Sequence, residues 1–366
     1  MGKIRFVGLD VHKESIVIGV AEEGGGEPSV VASIGHEMKG LFKQLRRLGD
    51  QAELRVCYEA GPTGFGLARN LRQEGIDCRV IAPSLVPKQA GDRVKTDRRD
   101  AMKLARFLRS NDLTEVQIPD VETESVRDLE RARNGAKKAE RVARHQLGKF
   151  LLRQGRRYSG KSWTKTHLEW IRTQTFEHEA HHRVLADYVM TVERATERVR
   201  QLTADLAAVV ISWTRQPVVK ALQSLRGIDF LSAVILVAEL GDLNRFGSAP
   251  KLMAYLGLVP SEHSSGESRR QGRITRTGNT HARRVLVESA WSYRFGPRMS
   301  AAIKKRNEGL SPRVQDIAWK AQQRLCGRYK KLSGRGKNRQ RVVTAIAREL
   351  AGFVWSIARE QTLLAA

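Results

Sequence analysis

Ile4-Arg5-Phe6-Val7-Gly8-Leu9-Asp10 is a short apolar run that stops on a carboxylate. Behind it, Ser15 to Ala21 has a second strand pattern. Gly24-Gly25-Gly26 then makes the turn into a third, Ser29 to Ile34. Outward from these, a helical stretch covers Met38 to Leu48 and a strand runs from Leu54 to Tyr58, ending at Glu59. Helix Phe65 to Gln73, strand Cys78 to Ile81 and a helix through Asp97 to Arg109 complete the region. Three antiparallel strands followed by alternating helices and strands predict an α/β domain over residues 1–118, a mixed sheet with helices packed on it.

The pattern then turns helical. Leu185, Val192, Val199, Leu206 and Trp213 recur every seven residues, with Tyr188, Ala195, Leu202 and Val209 interleaved. Apolar a and d positions flanked by charge predict a coiled-coil arm over residues 119–215, and a dimerising arm is the favoured reading. The alternative is a helical hairpin packed within one chain. Leu129, Ala136, Ala143 and Phe150 keep the same step on the preceding helix with a seam of smaller residues. Residues 216–366 read as mostly helical, broken by an irregular basic segment from Pro260 to Asn279. Leu225-Arg226-Gly227-Ile228-Asp229 has the look of a helix-hairpin-helix turn whose amides hold a DNA phosphate, or equally of an ordinary packing turn. Arg335 and Lys337, in a basic loop near the end, read either as phosphate contacts or as a solvated turn.

Charge narrows the function. Sixty-five Lys and Arg against 39 Asp and Glu leave a formal net charge of +26 in 366 residues. Such an excess attracts polyanions and favours counterion release on contact, which points to nucleic acid. No basic amphipathic anchor and no long apolar run stands out, so no membrane role is expected. The three scattered cysteines fit a reducing cytosol, and with no signal-peptide pattern the protein is expected to be cytoplasmic. His178-Glu179-Ala180-His181-His182 matches a metalloprotease zinc motif by letters alone and is set aside, because no third ligand is evident. The absence of a phosphate-binding loop of the Gly-x₄-Gly-Lys-Ser/Thr type leaves ATP-driven chemistry unsupported.

Four acids are the candidate chemistry. Asp10 and Glu59 end strands, and Asp97 and Asp100, three apart on a helix, share one face. Converging carboxylates repel, and a hard divalent cation relieves them. Mg²⁺ held there neutralises a scissile phosphate and orients it for in-line attack. Further along, Ser264 and Ser265 precede Gly266 and a run of arginines, Arg269, Arg270, Arg273 and Arg276, suited to clamping phosphates. A flexible basic loop is the plain reading of that segment. Lys95, just before the acidic pair, and Arg98, between its two members, are candidate nucleic-acid contacts.

Gly8-Leu9-Asp10-Val11-His12-Lys13, Tyr58-Glu59-Ala60-Gly61-Pro62-Thr63-Gly64 and Lys95-Thr96-Asp97-Arg98-Arg99-Asp100-Ala101 resemble, in order and spacing, the three acidic motifs of the insertion-sequence one-ten family of transposases. Tyr255 to Gly266 and Gly272 to Asn279 resemble that family's C-terminal transposase domain. The resemblance implies a ribonuclease-H-like first domain, similar to Holliday-junction resolvases, with Asp10, Glu59, Asp97 and Asp100 as its metal-binding tetrad. It implies a serine that links covalently to DNA, with Ser265 the choice and Ser264 the fallback. It also implies donor and target DNA as partners, a guide RNA from the element's own end, and dimers that pair into a tetramer. A junction-resolving nuclease without covalent intermediate explains the acids but leaves the serine idle. A non-catalytic binding scaffold explains charge and coil only.

Overall fold

The computed structural model describes residues 3–87, 96–262, 265, 268 and 270–365; Lys95, Ser264, Gly266 and Arg269 lie outside them. The chain divides into two compact units, Met1–Ile118 and Pro119–Ala366.

The first unit is built on a five-stranded sheet. β1 (Arg5–Val11) pairs antiparallel with β2 (Ser15–Glu22), which pairs antiparallel with β3 (Ser29–Gly35). On its other side β1 runs parallel to β4 (Leu54–Glu59), and β4 parallel to β5 (Asp77–Ile81), giving the order β3-β2-β1-β4-β5. The mixed sheet expected from the strand pattern is present. Its faces are unlike because strand side chains alternate. Val7, Leu9, Ile16, Ile18, Val56 and Tyr58 enter a core with α1 (Met38–Leu48) and α2 (Gly66–Gln73), which contribute Leu41, Leu45, Leu67 and Leu71. The opposite face of β1 carries Phe6, Gly8 and Asp10. It is covered by α3 (Asp97–Arg109), whose Leu104 and Leu108 pack with Cys57 and Ile81.

Two glycines make that cover possible. Gly8 and Gly19 are register partners across β1 and β2. A Cβ at Gly8 would collide with the Ala101 carbonyl oxygen and lie 2.7 Å from Leu104 Cβ. At Gly19 a Cβ would lie 2.6 Å from the Ala101 carbonyl carbon. The helix backbone therefore rests directly on the strands, and its first turn comes down beside Asp10.

The second unit is helical. α4 (Val121–Arg153), α5 (Lys165–Arg172) and α6 (Glu179–Ser212) form an arm. Glu122 bonds Thr214, Arg133 bonds Thr203 and Thr196 bonds Glu140, so α4 and α6 run antiparallel. Leu185, Val192, Val199 and Leu206, the heptad seam, are buried. Leu185 and Val192 share a core with Ala143, Leu147 and Phe150 of α4. Within one chain the seam is thus consumed by a hairpin, and any self-association through the arm has to use another face. Val209 and Ile211 remain exposed there.

The remainder comprises α7 (Gln216–Leu222), α8 (Phe230–Leu240), α9 (Ala249–Tyr255), β6 (Pro260–Glu262), β7 (Gln271–Ile274), α10 (Thr280–Ala290), α11 (Ala301–Asn307), α12 (Pro312–Gly334) and α13 (Arg339–Ala365). The apolar helix α8 is the centre of its core, with Val234, Leu236 and Ala238 fully buried beside Val285, Leu325, Ile346 and Leu350. Asp229 caps α8 by accepting from the Ser232 N–H at 2.9 Å. The turn before it is tight: Gly227 takes φ +84, and its Cα faces the Ser289 carbonyl and Ser292. The Leu225–Asp229 turn is thus packed against α10. No helix among the described residues is long and apolar enough to cross a membrane.

The contact of α3 with the sheet predicts the response to side-chain insertion. Gly8→Ala is expected to cost about 1–3 kcal/mol through overpacking, read by urea denaturation. Gly40→Ala, in the first turn of α1 where an added Cβ meets Ile34 Cδ1 at an ordinary 3.8 Å, is expected to gain up to about 1 kcal/mol from helix propensity. Equal effects would mean that α3 does not sit on the strands as described.

Candidate functional site

Asp10 lies on the α3 face of β1, two residues beyond Gly8, with its side chain 20% exposed. Parallel pairing sets Gly8 beside Cys57 and Leu9 beside Tyr58, so the next step along both strands brings Asp10 and Glu59 side by side on the same face. Glu59 is the last residue of β4, and the Ala60 N–H donates to the Ile81 carbonyl at 2.8 Å, which holds the strand end straight.

The other acids arrive from α3. Thr96 caps this helix, accepting from the Arg99 N–H at 3.3 Å, so the first turn starts at Asp97 with Asp100 close behind. His12, just past the end of β1, ties the groups together. Its Nε2 lies 3.2 Å from Asp10 Oδ2 and 3.5 Å from Asp97 Oδ1. One ligand atom from each of Asp10, His12 and Asp97 falls within 4.8 Å of the others. Asp10, Asp97 and Asp100 thus gather at one end of β1, with Glu59 on the adjacent strand. His12 was not among the residues selected from sequence, although the Asp10-x-His12 spacing carries the signal.

Burial raises the Asp10 carboxyl above its usual range. His12 opposes that shift, while the charges of Asp97 and Asp100 add to it. A half-buried carboxylate with further carboxylates beside it makes a pocket with cation demand, and oxygen donors at this spacing fit a hard divalent ion. Asp10 and Asp97 lie close enough to supply such oxygens together, and Glu59 ends the neighbouring strand. His12 is placed to orient two of them or to add a nitrogen.

Arg98 is exposed on the first turn of α3, and Asp97 is 59% exposed, so the pocket opens to solvent on the helix N-terminal side. Backbone amides at a helix N-terminus and neighbouring arginines both favour phosphate there.

The serine segment forms a hairpin in the second unit. β6 and β7 pair antiparallel, and Ser265 and Ser268 exchange backbone hydrogen bonds of 3.2 and 3.1 Å beyond them. Ser265 is exposed, as are Arg270, Arg273 and Arg276. Its base is fixed firmly. The Thr275 N–H donates to the Val259 carbonyl at 2.9 Å and the Arg276 N–H to the Gly257 carbonyl at 3.1 Å. Arg276 takes φ +58, a left-handed conformation that a side chain adopts only when its surroundings impose it. Arg283 Nη1 bonds the Leu256 and Thr277 carbonyls at 2.9 and 2.6 Å, locking the hairpin base to α10. The sequence reading made this segment irregular; the short pairing of β6 with β7 is what it missed.

Arg335 and Lys337 are exposed at the turn between α12 and α13. Lys337 shares a surface pocket with Arg328, Asn338 and Arg341, a concentration of positive charge suited to a phosphate backbone. At the zinc-motif look-alike, His182 Nε2 lies 3.1 Å from the Phe176 N–H and His181 packs on Phe150 and Phe176, so both rings have structural uses.

With this geometry in view, comparison with known proteins is direct. Residues 7–154, spanning all four acids, match the DEDD-type transposase model of the IS110 group. Residues 219–304, spanning the serine hairpin, match the model described as the transposase IS116/IS110/IS902 family. The Sinorhizobium fredii protein y4qE, itself named a transposase, is 46% identical over 358 residues, 97% of this chain and 88% of the relative. The Leptospira borgpetersenii transposase for insertion sequence element IS1533 is 30% identical over 337 residues, 91% of this chain and 97% of the relative. Acids gathered under α3, an arginine-rich hairpin bearing Ser265, and relatives matching from end to end have one explanation: the chain belongs to the IS110 family of insertion-sequence transposases, enzymes that act on DNA.

Proposed function

We propose that the chain cuts and rejoins DNA strands through a serine–DNA covalent intermediate, with Asp10, Glu59, Asp97 and Asp100 holding Mg²⁺ in a ribonuclease-H-like domain. The observation that carries this reading is the gathering of Asp10, Asp97 and His12 within ligand distance, under a helix whose first turn also carries Asp100. When bound, Mg²⁺ supplies Lewis-acid neutralisation of the scissile phosphate.

The protein's own groups do the rest. Residues 1–118 act as the DEDD domain, residues 119–215 as an arm and residues 216–366 as the domain that presents the nucleophile. Lys95, Arg98, Arg269, Arg270, Arg273 and Arg276 contact phosphates, and Arg335 and Lys337 extend the track. Ser265, exposed on its hairpin, has room to reach a phosphorus; Ser264 is its fallback. An Oγ–P bond forms as a phosphodiester P–O bond breaks. The serine proton goes to base or solvent, and the departing sugar oxygen takes one up. The phosphoserine keeps the energy of the broken bond for rejoining.

Donor and target DNA are the substrates, and the +26 charge suits a guide RNA as a further partner. Two such chains, pairing again into a tetramer, bring the serine of one subunit to the acids of another. A cytoplasmic location fits this work. Water activated at the same acids, with no adduct, is the rival reading, and it gives the exposed serine and its arginines nothing to do.

Three outcomes follow. With cognate DNA, guide RNA and Mg²⁺, the wild type is expected to give a protease-sensitive protein–DNA adduct that Ser265→Ala lacks; cleavage persisting without any adduct supports the resolvase reading. Asp97→Ala is expected to lower cleavage at least about 10³-fold, as when one member of a catalytic constellation is removed, measured with saturating Mg²⁺. Asp10→Asn tests the pocket's electrostatics. A carboxyl whose folded value is raised binds its proton more tightly folded than unfolded. Its ionisation therefore costs stability as pH climbs from the ordinary carboxylate range through the raised one. Asp10→Asn removes that cost, so at neutral pH without metal its Tm is expected to equal or exceed wild type although cleavage is lost. A clearly lower Tm would contradict the crowding of charge described above.

A further inference from the structure

A second group of ligand-type side chains lies inside the helical unit, and the proposed reaction has no use for it. Glu130 projects from α4, Glu239 from the last turn of α8 and His281 from the first turn of α10. One ligand atom from each falls within 4.8 Å of the others. The setting is a core: Glu130 is 1% exposed and Glu239 6%.

The two carboxylates are treated differently. Glu239 accepts on both oxygens, Oε1 from Arg131 Nε at 2.8 Å and Oε2 from Arg131 Nη2 at 3.0 Å and Asn279 Nδ2 at 2.6 Å, which leaves Oε1 a lone pair on the His281 side. Burial opposes its ionisation, yet His281, Arg131 and Asn279 together hold its carboxyl well below the ordinary range. Glu130 has neither oxygen hydrogen-bonded, and His281 Nε2 is also buried without a partner. His281 Nδ1 stands 3.6 Å from Glu130 Oε2 and 3.7 Å from Glu239 Oε1, too far for a hydrogen bond to either. A buried carboxylate with no donor is unfavourable, so the site calls for a proton or a cation.

We propose that Glu130, Glu239 and His281 form a binding site for a divalent transition-metal ion of the Zn²⁺ type, which ties α4, α8 and α10 together. Zinc bonds of about 2.0–2.2 Å set tetrahedral ligand atoms about 3.4 Å apart, close to the spacing of His281 Nδ1 from both carboxylates. One imidazole with two carboxylates is a donor set that suits Zn²⁺. Asp10, His12 and Asp97 offer the same donors at a more exposed place, so burial separates the two sites and Asp10→Asn tells them apart. Asn279 connects it to the serine. Its side chain caps α10 by accepting from the Ala282 N–H at 2.9 Å and donates to Glu239, and it lies five residues after Ile274, the end of β7. An ion here fixes the root of the hairpin that carries Ser265. The three residues act as positioning residues, not as catalytic ones.

The full-length protein is titrated with Zn²⁺ in Mg²⁺-containing buffer, with Tm and retained metal after gel filtration as readouts. The wild type is expected to retain about one Zn²⁺ per chain beyond any surface sites and to gain several degrees in Tm. Glu130→Gln is expected to lose that ion and the gain, whereas Asp10→Asn keeps both. A wild type that neither retains the ion nor melts higher with Zn²⁺ overturns the proposal, as does a Glu130→Gln protein that still does both. In the first case, Glu130→Gln melting at or above wild type identifies a carboxyl kept protonated. Should Glu130→Gln lose its cooperative transition, His281→Gln is read in the same way and Co²⁺ is added to the wild type. Absorption bands bleached by one equivalent of Zn²⁺ support the site, and a spectrum without such bands overturns it.

Discussion

The close seat of α3 on β1 and β2 is the constraint from which the acid site follows. Gly8 and Gly19 remove the side chains that would keep a helix at its ordinary distance from a sheet. The backbone of Ala101 comes down onto them, and the helix start is carried to the end of β1. Burial there raises the Asp10 carboxyl, against the pull of His12, and the charges of Asp97 and Asp100 add to the shift. The sheet contributes the rest by register, since β1 and β4 run parallel and place Asp10 and Glu59 at the same level. Stability is given up locally for a pocket that wants a cation, as functional sites commonly require.

In the second unit an equivalent role falls to the anchored base of a hairpin. β6 and β7 are short, and their own side chains add a Gln271–Glu262 hydrogen bond of 3.4 Å and Ile274 packed on the helical core. Backbone bonds to Val259 and Gly257, the left-handed Arg276 and the Arg283 clamp onto α10 hold them as well. A nucleophile on a loop is useful when the root of the loop is rigid, because productive geometry tolerates little error. The Glu130, Glu239 and His281 group lies where α10 meets α4 and α8, at the foot of this arrangement.

Much of the first unit is legible from sequence because its elements announce themselves locally. Ser15 to Glu22 and Leu54 to Glu59 are apolar runs of strand length, and Asp97 to Arg109 carries its cap and its helical period. The acids stand out as polar ends of apolar elements. His12 stands in the first acidic motif, but its two-residue spacing from Asp10 gains a role only when the fold brings Asp97 beside it. The heptad Leu185, Val192, Val199 and Leu206 is equally visible, but periodicity states that a partner exists without saying which chain supplies it; here α4 does. Glu130, Glu239 and His281 are far apart in sequence and sit in helices that read as ordinary packing, so only the fold assembles them. The hairpin around Ser265 was hidden because β6 has three residues and β7 four, too few for alternation to register.

The most direct measurement of the central claim is to load the protein with Fe²⁺ in place of Mg²⁺, generate hydroxyl radicals at the bound ion and map the backbone cuts by mass spectrometry. Cuts clustered around Asp10, Glu59 and Asp97, competed away by excess Mg²⁺, are the result the account predicts. A first unit left uncut at those three points, while the protein remains folded, would contradict it.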